Sequence, residues 1–142
     1  MKTLQIESGD LVIGPGGAQL LTGQARVIQD LSIASLEPFG CDRFHPNWGS
    51  VLTNYIGMPI TDELRLLVQS EVTRLVSNYM VEQNTEIQAD ADAGRRSRFQ
   101  SGEILVNLTG VEVRATEDKV QVRAILQTLS GEQMALQSTV RN

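Results

Sequence analysis

Apolar residues recur at helical spacing over one long stretch of the chain. Leu64, Leu67, Val68, Val72, Leu75, Val76, Tyr79 and Met80 follow the three-and-four rhythm of a single helix face, interrupted by Glu71. Arg65, Gln69, Arg74, Ser77 and Glu82 fall on the opposite side. The pattern predicts a helix from about Asp62 to about Gln88, roughly 40 Å long at ~1.5 Å per residue. Thr61 suits its N-cap, and Asp62 and Glu63 place negative charge at the positive end of the helix dipole.

The period differs on either side. Residues 2 to 21 alternate short apolar runs with turn formers: Leu4 and Ile6, Ser8-Gly9-Asp10, Leu11-Val12-Ile13, Gly14-Pro15-Gly16-Gly17, Leu20-Leu21. They read as short strands or an extended arm with tight turns. The glycine run is read as a turn rather than a phosphate cradle, because no Lys-Ser/Thr pair follows it. Val27, Leu31 and Ala34, with Ile28 beside them, predict a short amphipathic helix over Gln24 to Leu36, ended by Pro38. Ser50 is placed to cap another short helix over Val51 to Ile56, closed by Gly57. Beyond Gln100, Ile104 to Leu108, Val111-Glu112-Val113, Val120 to Leu129 and Met134 to Val140 alternate around Thr116-Glu117-Asp118-Lys119 and Ser130-Gly131. Val111, Val113, Val120, Val122, Ala124 and Leu126 share one face, opposite Glu112, Arg114, Gln121 and Arg123. The expected architecture is α+β. Short N-terminal strands or an arm (1–21) lead into a helical part (22–89), whose one short and one long amphipathic helix pack on a C-terminal antiparallel β meander (102–142). No internal repeat is expected, and a single domain spans 1–142.

Between the helices, Phe39-Gly40-Cys41-Asp42-Arg43-Phe44-His45-Pro46-Asn47-Trp48-Gly49-Ser50 contains the single Trp, His and Cys and two of three Phe residues. Its Gly and Pro make it a loop, and its aromatics predict a rigid connector pinned into the core, with Trp48 largely buried. A second loop, Asp90-Ala91-Asp92-Ala93-Gly94 followed by Arg95-Arg96-Ser97-Arg98, is acidic and then basic. It reads as an exposed flank in which Arg95, Arg96 and Arg98 form a candidate loop for a phosphate or acidic partner.

Composition narrows the function classes. The 142 residues carry 12 basic and 17 acidic groups, a net charge of −5. That balance disfavours nonspecific nucleic-acid binding, and the one basic cluster lacks interleaved aromatics. One cysteine makes no internal disulfide, which fits a reducing compartment. No apolar run suggests a signal peptide or membrane span, so synthesis and folding in a cytoplasm are expected. Cys41 and His45 sit four apart, but a thiol–imidazole pair normally converges from distant parts of the chain and requires a third, orienting group, and no second Cys or His exists to build a structural zinc site. Paired carboxylates for glycoside hydrolysis would stand about 5 to 9.5 Å apart with one pKa raised. Glu37, Asp42 and Glu103 are the acids nearest apolar surroundings, and nothing in the sequence specifies a sugar cleft. No catalytic, metal-binding or cofactor-binding residue is assigned.

The order of features is more informative than any one of them. Phe44-x-Pro46-Asn47-x-Gly49-Ser50-x-Leu52, set between Gln29-Asp30-Leu31 in a first helix and a long helix with a β meander, resembles the baseplate wedge family of contractile phage tails. These are the sheath-initiator proteins, with relatives in type VI secretion baseplates, and some members are labelled lysozyme-like. The likeness covers roughly Leu21 to Val140. Many members carry a Glu-Pro-Arg signature before the meander, whereas this chain has Arg98 but no such triplet between Arg95 and Glu103. The resemblance implies a non-enzymatic virion component, assembled in the bacterial host cytoplasm and incorporated in several copies around a tail hub. It implies a structural role for connector residues Phe44, Pro46, Asn47, Trp48 and Gly49, and a sheet edge that takes extended arms of the tail sheath protein by strand addition. The edge expected from the meander is Gln133, Ala135, Gln137 and Thr139 in the last strand, or the strand near Ile104 to Leu108. Implied partners are the sheath protein and other wedge, hub and tube proteins, with no cofactor, nucleic acid or membrane. The lysozyme-like label makes a peptidoglycan hydrolase with paired carboxylates the alternative.

Overall fold

The first twenty-four residues contain a seven-residue repeat that sequence patterning missed. Leu4 to Asp10, Leu11 to Gly17 and Ala18 to Gln24 share an aliphatic third position (Ile6, Ile13, Leu20) and a glycine sixth position (Gly9, Gly16, Gly23). In the computed structural model, which describes residues 1–116 and 119–141, this repeat folds as a three-leaved clover. Strands β1 (Thr3–Leu4) and β6 (Leu20–Leu21) form one antiparallel ladder, β2 (Ile6–Glu7) and β3 (Asp10–Leu11) the second, and β4 (Ile13–Gly14) and β5 (Gly17–Ala18) the third. Equivalent residues meet at the centre in a closed triangle. The Gln5 N–H donates to Gln19 O at 2.8 Å, Gln19 N–H to Val12 O at 2.9 Å, and Val12 N–H to Gln5 O at 3.0 Å. Ser8 (φ 53°) and Gly9 (φ 88°) make the two-residue turn of the second ladder, which requires positive φ at both positions. The expectation of short strands and turns holds; that of no repeat does not, because only two positions in seven recur.

Helix α1 (Gly23–Leu36) begins where the clover ends. Its Gln29 side chain docks the clover by accepting from the Ile6 N–H and donating to Leu4 O, both at 2.8 Å. A 3-10 helix follows at Leu52–Tyr55. Ser50 does not cap it in the expected way; its hydroxyl donates to Ser35 O at 2.7 Å and accepts weakly from the Leu52 N–H at 3.3 Å. Helix α2 (Asp62–Asp92) runs one turn beyond its expected end, and the Thr61 hydroxyl accepts the Leu64 N–H at 3.1 Å as its cap. Thr61→Ala is expected to lower stability by about 1 kcal/mol with an unchanged m-value in urea unfolding.

Three antiparallel strands complete the domain: β7 (Leu105–Thr116), β8 (Lys119–Thr128) and β9 (Gln133–Arg141), in the order β7-β8-β9. The two first segments expected in the meander are one strand, joined through register shifts between Leu105 and Asn107 and between Leu108 and Gly110. Of the expected turn after Thr116, Glu117 and Asp118 lie outside the described residues. Val120, Val122, Ala124 and Leu126 are buried, with Val111 and Val113 packed beside them. Both helices cover this face, α2 over β7 and α1 over β9. Leu64, Val68, Val72, Val76 and Tyr79 of α2 and Val27 and Leu31 of α1 fill the core. Leu67, expected on the buried face, is exposed, because the register of α2 is set by the neighbouring Leu64 and Val68.

Polar residues lock these layers together. Glu71, the break in the apolar stripe, is buried; it accepts the Val51 N–H at 2.8 Å and binds Arg74, which is half-buried rather than outward as expected. The buried Gln83 amide donates to Glu103 O at 2.7 Å and accepts the Leu105 N–H at 3.0 Å, pairing with the backbone as a neighbouring strand would. Glu103, fully buried, accepts from Gly23 N–H at 2.7 Å through Oε1; its Oε2 accepts from Gln100 N–H and the Met1 ammonium, each at 3.0 Å.

Candidate functional site

The connector closes on itself before it touches anything else. Ser50 N–H donates to Glu37 O at 2.8 Å, Phe39 N–H to Ser50 O at 3.0 Å, and Gly40 N–H to Trp48 O at 3.0 Å, so the loop has its own short ladder. Asp42 Oδ1 accepts the Phe44 N–H at 2.8 Å, and its Oδ2 meets His45 Nδ1 at 2.9 Å. The two phenylalanines do not pin the loop, whereas Trp48 packs against the core, so the expected burial is corrected for Phe39 and Phe44 and reduced for Trp48. Phe44 is 85% exposed, and Phe39 is exposed beneath the Arg74 guanidinium, 4.4 Å from its ring centroid. Trp48 is half-buried, its ring 6.1 Å from that of Tyr79. Pro46 and Asn47 are exposed, and Asn47 O accepts from Asn78 at 3.2 Å. Cys41 is exposed, and His45 partners Asp42 rather than the thiol.

Trp48 forms one wall of a cleft of about 300 Å³ between α1, α2 and the connector. Glu37 and Asp42, singled out in sequence, both line it; Glu103 does not. The structure adds Asp30 from α1 and Glu82 and Glu86 from α2, with Arg26 and His45. Glu82, expected to face solvent, turns toward this cleft and is half-buried. Asp30 Oδ2 accepts from Arg26 Nη2 at 3.0 Å and from Tyr79 OH at 3.1 Å. Burial nevertheless raises the Asp30 pKa against the pull of Arg26. Burial, reinforced by Glu86 and Asp42, likewise raises that of Glu82. The His45 hydrogen bond holds Asp42 below its ordinary value, and the same contact raises His45. Glu103 behaves differently. Burial raises its pKa, but the N–H donors of Gln100 and Gly23 and the ammonium outweigh it and lower the carboxyl, so it is a structural anchor rather than a general acid.

Two further features lie outside the cleft. In the basic loop, Arg98 grips buried Asp90 through Nε and Nη2, both at 2.9 Å, and Arg95 reaches the same carboxylate at 3.2 Å. Two of the three arginines are thus engaged within the chain, while Arg96 is exposed. At the sheet, Thr128 N–H donates to Glu132 O at 2.9 Å to close the β8–β9 hairpin, with Gly131 at φ 84° in the turn. Alternation from that pair directs the backbone N–H and C=O of Gln133, Ala135, Gln137 and Thr139 away from β8, toward the open edge.

Comparisons with protein-family models, with curated proteins and with solved structures find no match to this chain. Function therefore rests on the geometry of the edge and the cleft.

The two edges of the sheet differ. Strand β7 carries two irregularities within its first six residues, and such bulges twist an edge out of pairing geometry. Strand β9 pairs with β8 from Gln133 to Arg141 without a break. Of the two edge strands, β9 offers the regular row of main-chain donors and acceptors that an incoming strand needs. Sequence alternation singled out the four residues whose main-chain groups face the open edge but held no reason to prefer β9, since the bulges of β7 depend on pairing rather than composition.

Proposed function

We propose that this protein is a structural, non-enzymatic baseplate wedge component of a contractile tail, which links the baseplate to the first ring of sheath subunits and initiates sheath assembly by strand addition on β9. The observation that carries this reading is the unbroken β9 edge beside a bulged β7. The family resemblance of the connector supports it. Strand addition gains affinity from main-chain hydrogen bonds and register from alternate side chains. The outward side of β9 meets both needs, with Gln133, Gln137 and Thr139 exposed and Met134 and Leu136 buried on the opposite face. In this role the protein sits in several copies around the tail hub, with sheath, tube and other wedge proteins as neighbours and no cofactor.

The edge provides its own test. The Gln137 N–H points outward, so Gln137→Pro removes a donor from the edge but none from the β8–β9 ladder. In co-expression with the neighbouring tail genes, this substitution is expected to abolish recovery of sheath while the thermal midpoint stays within a few degrees of the parent. Undiminished sheath recovery would overturn the assignment of β9.

The cleft keeps a second reading in view, since it holds two carboxyls, Asp30 and Glu82, with raised pKa values among other acids. A peptidoglycan hydrolase would use one of these as its acid beside a second carboxylate that stays ionised. It predicts murein cleavage by the purified chain, lost in Glu82→Gln; an inactive parent chain removes this alternative.

A further inference from the structure

The cleft contains an imbalance that its own residues do not resolve. Five carboxylates face at most two cations, Arg26 and His45. Some of this charge is internally satisfied: Asp42 is held by its own loop and His45, and Glu37 accepts from Trp48 Nε1. Glu86 stands 3.6 Å from Arg98, whose stronger contacts are to Asp90. Among the described residues, Glu82 has no hydrogen-bond or ion-pair partner. A half-enclosed site with this surplus attracts cations, because low-dielectric walls concentrate its field.

The opposite polarity lies beside it. Arg26 lines the cleft and is only 5% exposed, and its Nη2 is held by Asp30; among the described residues, Nε and Nη1 have no hydrogen-bond acceptor. The guanidinium carbon rests 5.2 Å from the Phe99 ring centroid, a favourable contact that does not supply a lone pair. Leaving buried donors unmade is costly, so Arg26 calls for an oxygen atom from elsewhere. A ligand for this cleft must therefore carry a cation for the acids and an acceptor for Arg26. Among the described residues, no group of His, Cys, Asp and Glu is arranged to hold a metal ion, so an organic cation is the better fit. The volume of about 300 Å³ lies at the small end of ligand pockets and suits one residue rather than a long peptide. Trp48 and Tyr79 supply ring surface for an aliphatic stem and a cationic head.

We propose that the cleft between α1, α2 and the connector is a socket for one arginine or lysine residue of a partner protein, with the side-chain cation among Asp30, Glu37 and Glu82 and the main-chain carbonyl on Arg26. This socket is separate from the β9 edge and stands whether or not that edge binds sheath. It adds a side-chain anchor to an assembly surface and involves no bond making or breaking.

Trp48 is the single tryptophan of the chain and forms a wall of the cleft, so its fluorescence reports occupancy. The purified full chain is titrated with N-acetyl-arginine amide and N-acetyl-lysine amide. Controls are N-acetyl-citrulline amide, which keeps the shape without the charge, and guanidinium chloride, which keeps the charge without the carbonyl. Saturable binding of the two cationic amides in the millimolar range is expected, with both controls weaker by about tenfold, equivalent to ~1.4 kcal/mol. Glu82→Gln is expected to weaken the arginine amide by about threefold to tenfold while leaving the melting temperature unchanged. Equal binding of the citrulline amide would overturn the charge argument. Equal binding of guanidinium would overturn the role of Arg26, and no saturable response to either cationic amide would overturn the socket altogether.

Discussion

Gly49→Ala is expected to be among the most destabilising single-methyl additions in this chain. Gly49 has φ 90°, where an L side chain is strained, and a Cβ there would stand 2.6 Å from Pro38 O and 2.9 Å from Glu37 O. Both neighbours are backbone atoms fixed by the connector's ladder through Ser50 N–H and Phe39 N–H, so neither yields as the end of a flexible side chain would. The Gly49 carbonyl also accepts from Arg74 Nη2 at 2.9 Å, and Arg74 is bound to Glu71, which holds the Val51 N–H. Displacing Gly49 thus disturbs the joint between connector and α2. Backbone strain and overlap together predict a loss of roughly 3–5 kcal/mol, a large share of the ~5–15 kcal/mol typical of a domain. The melting temperature should fall by about 10–20 °C. Gly16→Ala is the control: its added Cβ meets nothing within 4 Å and its φ is not positive, so its midpoint should barely move. Similar midpoints for the two variants would show that the loop shifts to make room.

The resemblance that pointed to Gly49 also contained Phe44, and the two fared differently. Glycine carries a backbone requirement that local sequence expresses directly, whereas burial of an aromatic depends on what the rest of the chain brings to it. Phe44 is exposed because the connector is held by its own hydrogen bonds, a fact that composition does not encode. The long helix was legible for the converse reason: its stripe repeats over many turns, and Thr61 marks its start. Glu71 appeared only as an interruption of that stripe, although it is a buried tie to the connector. The clover was hidden by a repeat too short and too degenerate to stand out beside ordinary turn residues. The cleft was half legible. Glu37 and Asp42 were singled out, but Asp30, His45, Glu82 and Arg26 come from three segments whose meeting depends on how α1 packs against α2. Arg26 in particular lies at a polar position of the α1 pattern, and no sequence rule signals that its guanidinium is buried with two donors unmade.

Replacing Glu103 should affect stability and its pH dependence together. This carboxylate is the meeting point of the chain's distant parts: Oε1 holds the start of α1 through the Gly23 N–H, Oε2 holds the Gln100 N–H and the Met1 ammonium, and its own carbonyl is held by Gln83 of α2. Glu103→Ala removes the acceptor from all three donors; the Met1 ammonium is partly exposed and regains water, so the loss comes mainly from the stranded Gly23 and Gln100 N–H groups, at about 1–3 kcal/mol each. The urea midpoint should fall accordingly, with an unchanged slope. Glu103→Gln keeps one carbonyl oxygen for the Gly23 N–H but offers an amide where the other donors need an acceptor, so about half that loss is expected. The pH test separates charge from shape. The folded-state pKa is depressed, so the unfolded chain binds more protons through the acidic window; the stabilisation is complete above the ordinary carboxylate pKa and is lost as pH falls through the lower folded value. The parent chain should therefore lose stability with falling pH below about 4.3. In Glu103→Gln that part of the slope should be missing, so the two stability curves converge toward acid. Parallel curves would mean that Glu103 contributes through packing and hydrogen-bond geometry rather than through its charge.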